Sequence, residues 1–437
     1  MSSPRLRLDR GPPGGDHSLT PAREREVTHL VDRLFRTLAG QLTAGVVRIL
    51  GPSQIDLAAD VVQETMLRAL RTWPFHGIPD VPAAWLMRTA RNRAVDLVRR
   101  ARLGEESESR IAHHFTSLVD DSGGERREDT LHLMLACADP ALPVDAVVAI
   151  LLQAVGGLGS REIARAMLLP EATVAQRIVR AKKRMREWPA DEELFARPIE
   201  ELAQRRDVAL RAIYLLFNEG HNASEGDEVL RGELAREATR LVMLLASVPE
   251  LNDPAVEALA ALILLHASRF PSRQGDDGSL VLLADQDRTL WDEALLQRGF
   301  HHLTRAAESD TPTRYHLEAA IAAEHARAGS FEATNWDGIV DLYGGLMVLA
   351  PSPVVRTNRA VALVLAGRVD EGEAELEAIA DEPGVSRYGW FFATRGWLRD
   401  RLGDLAGARD DYRAALARQP SAPHRTLLLS RLARLDG

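Results

Sequence analysis

The chain has 437 residues, enough for several domains, and 46% of them are hydrophobic but only 5% aromatic. Its single cysteine, Cys137, excludes an internal disulfide and a CxxC metal site, so we expect a reducing compartment. The net charge of −9 excludes a uniformly basic protein, although it leaves room for local basic surfaces. Apolar residues recur at spacings of three and four almost throughout, which predicts an all-α fold.

The N-terminal residues 1–20 carry charges, proline and glycine but no apolar core. This composition predicts a disordered leader and not a signal peptide. The longest apolar stretch, around Ala258 to Ala267, is too short to span a bilayer. We therefore expect a cytoplasmic protein without membrane contact.

Residues 21–103 form the first predicted domain, with helices at 23–50, 56–72 and 81–102. In the second helix, Asp60, Gln63 and Glu64 cluster on a polar face. The third helix has an apolar face, and its opposite face carries five mostly basic residues. That face comprises Arg88, Arg91, Asn92, Arg99 and Arg102.

Residues 73–82 separate these two helices and contain prolines and a glycine, which predict a loop. A loop that carries aromatic rings can hold an unstacked base by stacking and hydrogen bonding. Phe75 and His76 are the candidates for such contact, whereas Trp85 is interpreted as a core anchor.

Residues 104–130 are polar, acidic and aperiodic, which predicts a flexible linker. Neither His113 and His114 in this linker nor His301 and His302 have Cys or carboxylate partners at ligand spacing, so we expect no metal and no cofactor.

The charge is divided unevenly along the chain. It is +6 for residues 1–103, −5 for 104–130, +3 for 131–190 and −13 for 191–437. Because local charge decides phosphate affinity, this division predicts two DNA-contacting modules and a C-terminal region that does not touch DNA.

Residues 131–190 form the second predicted module, which ends in SREIARAMLLPEATVAQRIVRAKKRMRE from Ser160. A short amphipathic helix, a Leu-Pro break and a basic helix are the signature of a helix-turn-helix. Val174, Ile178, Ala181 and Met185 form its apolar stripe. The opposite side holds the candidate DNA contacts, which are Thr173, Gln176, Arg177, Arg180, Lys183 and Arg184.

Residues 191–437 are predicted to form a helical extension, with repeats near 356–420. Gly367 and Gly403 occupy matching places 36 residues apart, close to the tetratricopeptide (TPR) period of about 34. Stacked helix pairs form a concave surface, so a protein or peptide ligand is a candidate partner.

The segments DLAADVVQETMLRAL and AAWLMRTARNRAVDLVRR, the acidic linker and the helix-turn-helix together resemble an extracytoplasmic-function sigma factor, a specificity subunit of bacterial RNA polymerase. The later segments AIYLLFNEGHNAS and GDDGSLVLLADQDRTLWD resemble the subgroup with a long TPR-like extension. The resemblance covers nearly the whole chain.

This resemblance implies binding to core RNA polymerase and promoter DNA, and no enzymatic activity. Asp60, Gln63 and Glu64 would dock on the polymerase clamp. The residues implied at the minus-ten element are Phe75, His76, Arg88, Arg91, Asn92, Arg99 and Arg100. Those implied at the minus-thirty-five element are Thr173, Gln176, Arg177, Arg180, Lys183 and Arg184.

Two alternatives remain open. A transcriptional regulator with one helix-turn-helix and a TPR-like sensor explains the second module and the repeats, but not the first module. An enzyme in the acidic half would need a catalytic constellation, and the dense carboxylates at 276–277 and 285–287 are better interpreted as caps and turns. We also expect the extension to pack on one or both modules and to regulate them in cis.

Overall fold

The computed structural model describes residues 21–102, 129–188, 203–223, 229–418 and 420–436. The predicted leader at 1–20 and the linker, except for its last two positions, lie outside these residues, and with the linker His113 and His114. The end of the second module at 189–190 and the start of the extension at 191–202 also lie outside them. The described residues form α-helices joined by turns and short 3-10 segments, without a strand, so the all-α prediction is confirmed.

The first module contains three helices around one apolar centre. The long helix α1 packs against both others, and Leu42, Ala58, Leu86 and Ala90 are buried between them. Gly51, with a φ of +86°, makes the turn after α1. The bounds are α1 Pro21–Leu50, α2 Ile55–His76 and α3 Pro82–Arg102.

The second module has four helices. It begins at Asp129, so the last two residues of the predicted linker belong instead to its first helix, where Thr130 is buried. The second of these helices is apolar on nearly all sides, as expected for a helix at the centre of a core. The bounds are α4 Asp129–Cys137, α5 Val144–Gly156, α6 Ser160–Ala166 and α7 Glu171–Met185.

The two modules pack directly on each other. Helix α1 contacts α4 and α5, and a Cβ on Gly40 would lie only 3.0 Å from the Val155 carbonyl oxygen. A larger side chain at position 40 would therefore separate the two helices.

The described part of the extension, from residue 203 on, begins with five α-helices that continue the same hydrophobic core. Its central helix buries nearly every side chain from Val256 to Leu265 and contacts the helices before and after it. The bounds are α8 Arg206–His221, α9 Gly232–Ser247, α10 Pro254–Ala267, α11 Glu293–Ala306 and α12 Arg314–Arg327.

The remaining helices form antiparallel pairs, in agreement with the repeat expected near 356–420. Gly367 and Gly403, aligned in sequence, both make the turn inside a pair, with φ of +83° and +84°. A Cβ on Gly372 would lie 2.6 Å from Val364, which explains the small residue there. The bounds are α13 Trp336–Leu349, α14 Pro353–Leu365, α15 Val369–Ile379, α16 Gly389–Leu402, α17 Leu405–Leu416 and α18 Ala422–Asp436.

Candidate nucleic-acid and protein interfaces

Helix α2 presents one exposed polar face opposite its buried side. Asp60, Gln63 and Glu64 are all exposed on this face, as the sequence pattern predicts. The Glu64 Oε2 atom accepts a hydrogen bond of 2.8 Å from Arg93 Nε, which joins α2 to α3. Leu67 lies one turn further and is 50% exposed. The sequence interpretation missed this leucine, although its place four residues after Gln63 and three after Glu64 puts it on the same face.

The predicted loop at 73–82 is correct for residues 77–81 and wrong for 73–76 and Pro82, because α2 continues to His76 and α3 begins at Pro82. Pro74 removes one hydrogen bond, but it lies in the last turn and is buried beside Trp73. The burial of Trp73 and Pro74 in the core therefore outweighs the loss of this helix hydrogen bond. Gly77, with a φ of +88°, ends the helix and donates its N–H to the Trp73 carbonyl at 3.0 Å.

The aromatic rings around this turn divide into core and surface. Trp73 is buried and meets Trp85 edge to face, with ring centroids 5.5 Å apart, so both are core anchors. Phe75 is 48% exposed, and His76 is exposed beside it. Exposed apolar side chains also occur in the turn, at Ile78 and Val81, which the sequence interpretation missed.

The basic face of α3 is largely accessible. Leu86, Ala90 and Ala94 fix the opposite side in the core. Arg91 is half-buried and takes part in a contact, whereas the other candidates are exposed. Those exposed residues are Arg88, Asn92, Arg99 and Arg100.

The helix-turn-helix has the predicted form. Helix α6 ends at Ala166, Leu168 adopts a φ of +53° in the turn, and Pro170 precedes α7. The predicted apolar stripe of α7 is fully buried. Thr173 is half-buried, and four candidate DNA contacts are exposed, namely Gln176, Arg180, Lys183 and Arg184.

Arg177 differs from these four because it already forms an ion pair with a carboxylate. Its Nη1 atom donates to Asp145 Oδ2 of α5 at 2.8 Å, and Arg211 of the extension lies 2.7 Å from the other oxygen. One carboxylate thus links the second helix of the helix-turn-helix to the extension.

A second carboxylate links α7 to the first module. Asp56 of α2 lies 3.0 Å from Lys182 Nζ and 2.5 Å from Arg186 Nη2. Partial burial opposes ionisation of Asp56, but the hydrogen bonds from Arg186 and Lys182 outweigh it and lower its pKa. The carboxylate is therefore ionised at neutral pH, and the contact is an ion pair between the modules.

The extension contacts the helix-turn-helix at further points. Arg231 hydrogen-bonds Glu162 of α6 and lies 3.2 Å from Glu219 of α8. Gly384 of the repeats approaches the turn itself, since a Cβ there would lie 3.9 Å from the Leu168 carbonyl oxygen. The expected packing of the extension on a DNA-binding module is thus present.

Two known domain families match the modules. Residues 34–103 match Sigma-70 region 2, and residues 133–185 match Sigma-70 region 4. Residues 205–307 match DUF6596, a family of unknown function. An uncharacterized protein of Rhizobium meliloti (strain 1021) is 39% identical over 370 residues, which cover 83% of this chain and 86% of that protein. No solved structure matches significantly.

Both sigma regions, in this order and spacing and followed by a DUF6596 segment, place the chain among the extracytoplasmic-function-like sigma factors with a C-terminal extension. It is a sigma factor for promoter recognition, so core RNA polymerase and promoter DNA are its implied partners. Sigma factor families are not enzymes. Within the described residues, no helix has both the length and the apolarity needed to cross a membrane.

Proposed function

We propose that this sigma factor exists in a closed form before it binds polymerase, and that the extension regulates initiation in cis by stabilising that form. The support is the ion pair between Asp56 and the α7 cations, together with one hydrophobic core that runs from the first module into the extension. In the open form, α2 would bind the polymerase, while α3 and α7 would contact the two promoter elements.

The size of the modules supports the need for opening. The centres of the minus-ten and minus-thirty-five elements are about 25 base pairs apart, or about 85 Å of B-DNA at roughly 3.4 Å per pair. A module of about 80 residues has a radius of gyration near 12 Å, hence a diameter of about 30 Å. Two modules in direct contact cannot span both elements, so the closed form is incompatible with a complete promoter complex.

The contacts that hold the closed form are unequal in strength. Asp56 and Arg186 are partly exposed, and each such ion pair is worth about 0–1 kcal/mol. The apolar contact between Gly40 and Val155 excludes water and is the stronger one. The extension adds a further apolar contact, because Leu216 of α8 packs closely against Gly156 of α5.

Opening is testable by fluorescence transfer in the full-length protein. Glu24 and Glu187 are exposed and lie in different modules, and the native cysteine, Cys137, is buried. Dyes on E24C and E187C should give high transfer in the free protein and lower transfer with core polymerase and promoter DNA. Unchanged transfer in a holoenzyme that is transcribing would disprove the closed-form proposal.

The ability of the protein to direct promoter-specific initiation is tested separately by run-off transcription. Core polymerase with this protein should produce discrete transcripts from a promoter that core polymerase alone ignores. Tight duplex binding without polymerase, and no initiation, would favour the transcriptional-regulator alternative.

Polymerase binding by α2 is tested by charge reversal. D60K should weaken association with core polymerase, because an acidic polar face suits a basic protein groove. E64K should do the same, but it also breaks the pair with Arg93. R93A breaks that pair without changing the exposed acids, so normal polymerase affinity in R93A is the matched control.

A further inference from the structure

The extension contains a cationic cavity that the proposed sigma-factor roles do not use. Its volume is about 250 Å³, and it lies between the end of α8, the segment after α10 and helix α16. Arg269, Arg273 and His221 supply its polar side, while Leu282 and Trp390 are among its apolar lining residues.

Within the described residues, the two arginines are buried without a counter-charge. Arg269 is 6% exposed and Arg273 is 8% exposed. In the described part of the chain, no carboxylate lies within 4.0 Å of either guanidinium. Arg269 instead donates to the neutral Gln286 Oε1 at 3.2 Å, and Arg273 donates to the His221 carbonyl at 3.1 Å. Buried cations are normally paired, so this arrangement lacks an anion.

The neighbouring acceptors are neutral, and His221 adds an unpaired donor beside them. The His221 Nε2 atom faces Arg273 Nη1 at 3.1 Å, and a guanidinium can only donate. A neutral ring that accepts at Nε2 carries its proton on Nδ1. Both His221 Nδ1 and Arg273 Nε are buried, and neither has a hydrogen-bond partner in the described residues.

The electrostatics agree with this geometry. Burial, and then the positive charge of Arg273, lowers the pKa of His221 well below its usual range. Burial, and then the charges of Arg273 and Arg288, lowers the pKa of Arg269 to about 9. Burial lowers the pKa of Arg273 to about 10. Burial is the first cause of each shift, and neighbouring cations add to it for His221 and Arg269, so the two guanidinium charges lie in a poorly solvated site.

We propose that the cationic cavity binds one small molecule through a phosphate or carboxylate group held by Arg269 and Arg273. Guanidinium groups bind both oxyanions through paired hydrogen bonds. The cavity is smaller than the roughly 300–1,000 Å³ of sites for drug-sized ligands, which favours a small metabolite over a peptide. Since Trp390 belongs to the repeats and Arg269 to the DUF6596 segment, the ligand joins these two parts of the extension.

The test is calorimetry and thermal unfolding of the full-length protein with inorganic phosphate, pyrophosphate and citrate, each against sodium chloride at equal ionic strength. At least one probe should bind saturably at one site and raise Tm with increasing concentration. Preference for phosphate or pyrophosphate identifies a phosphate ligand, and preference for citrate identifies a carboxylate ligand. Absence of saturable binding by all three would overturn the proposal.

Variants locate the site. R269M and R273M keep an unbranched apolar side chain but remove the guanidinium charge, and each should weaken binding about tenfold or more. R298M removes an exposed arginine of α11 and should bind normally. Binding that survives both R269M and R273M would also overturn the proposal.

A purely structural role for the arginines can be distinguished from ligand binding by the Tm of the variants without added anion. Without added anion, R273M should melt at or above the wild-type Tm, because it removes an uncompensated buried charge. A large fall in Tm would show instead that Arg273 already has its counter-charge inside the protein. The triple variant E225Q/D227N/E228Q tests the acidic residues between α8 and α9 that lie outside the described ranges. Unchanged anion binding supports the site, whereas binding only in this variant would overturn it.

Discussion

The two basic helices α3 and α7 use their positive charges differently. On α3, Arg88, Arg99 and Arg100 are exposed, and Arg93 pairs with Glu64 inside the same module. On α7, one set of cations is exposed, and a second set is held by carboxylates of other helices. The exposed set is Arg180, Lys183 and Arg184, and the held set is Arg177 and Lys182 together with Arg186, which directly follows the helix.

This difference shows how one helix can serve two purposes. If α7 contacts promoter DNA as proposed, phosphates would compete with the carboxylates of Asp56 and Asp145 for the held cations. Among the described residues, no carboxylate forms an ion pair with Arg88, Arg99 or Arg100 of α3. The closed form should therefore weaken contact with the minus-thirty-five element more than contact with the minus-ten element. Four predictions test this asymmetry.

The largest loss of promoter affinity is expected for substitutions of the exposed α7 cations. R180A should cost about 1–3 kcal/mol, or roughly 5- to 150-fold in promoter affinity, if Arg180 contacts a base edge. The measurement is transcription by holoenzyme from a promoter library with a randomised upstream element. Relaxed preference at one position indicates a base contact, and equal loss on all sequences indicates a phosphate contact. Full activity and selectivity in R180A, K183A and R184A alike would remove this face from the interface.

A smaller gain is expected when Asp56 loses its charge. D56N frees Lys182 and Arg186, so binding of the free protein to duplex DNA should depend more steeply on salt, by about 1.8 in the log–log slope. Affinity at low salt should rise by about tenfold or less, because partly exposed pairs are weak. D96N removes the same charge from α3 and is the control. An equal response in D56N and D96N would contradict the comparison.

A still smaller gain is expected for D145N, which releases Arg177 alone among the α7 cations. The salt slope should steepen by about 0.9 and the affinity should rise a few-fold. R177A should lose less duplex affinity in the free wild-type protein than in the D145N background. Additive effects of the two substitutions would show that Asp145 does not restrain Arg177.

The smallest effect is expected from mild acid. The folded-state pKa of Asp56 is lowered, so its stabilisation is complete above the ordinary pKa of 3.8 and is lost only as the pH falls through the lower folded value. Fluorescence transfer between the modules should therefore stay constant from pH 7 to about 5. A drop in transfer over that range, in a protein that keeps its helicity, would show that Asp56 does not hold the modules together.

Several local features followed from the sequence because they depend on short-range physics. Helical spacing placed Val174, Ile178, Ala181 and Met185 in the core, and the matched glycines at 367 and 403 marked two equivalent turns. The predicted loop at 73–82 was wrong for residues 73–76 because proline was weighed by its local cost, while the burial of Trp73 and Pro74 extends α2 by a turn. Local propensity loses to tertiary packing at such positions.

The sequence by itself determined the all-α class, the order of the two basic modules, the helix-turn-helix and the repeats. Each of these depends on spacing and charge within a few turns of chain. Only the tertiary structure decided that Asp56 would meet Lys182 and that Arg177 and Arg211 would share Asp145. It also decided that Arg269 and Arg273 would be buried with no carboxylate of the described residues beside them. These pairings join residues up to 130 positions apart, and no periodicity in one segment can encode the partner that another segment brings to it.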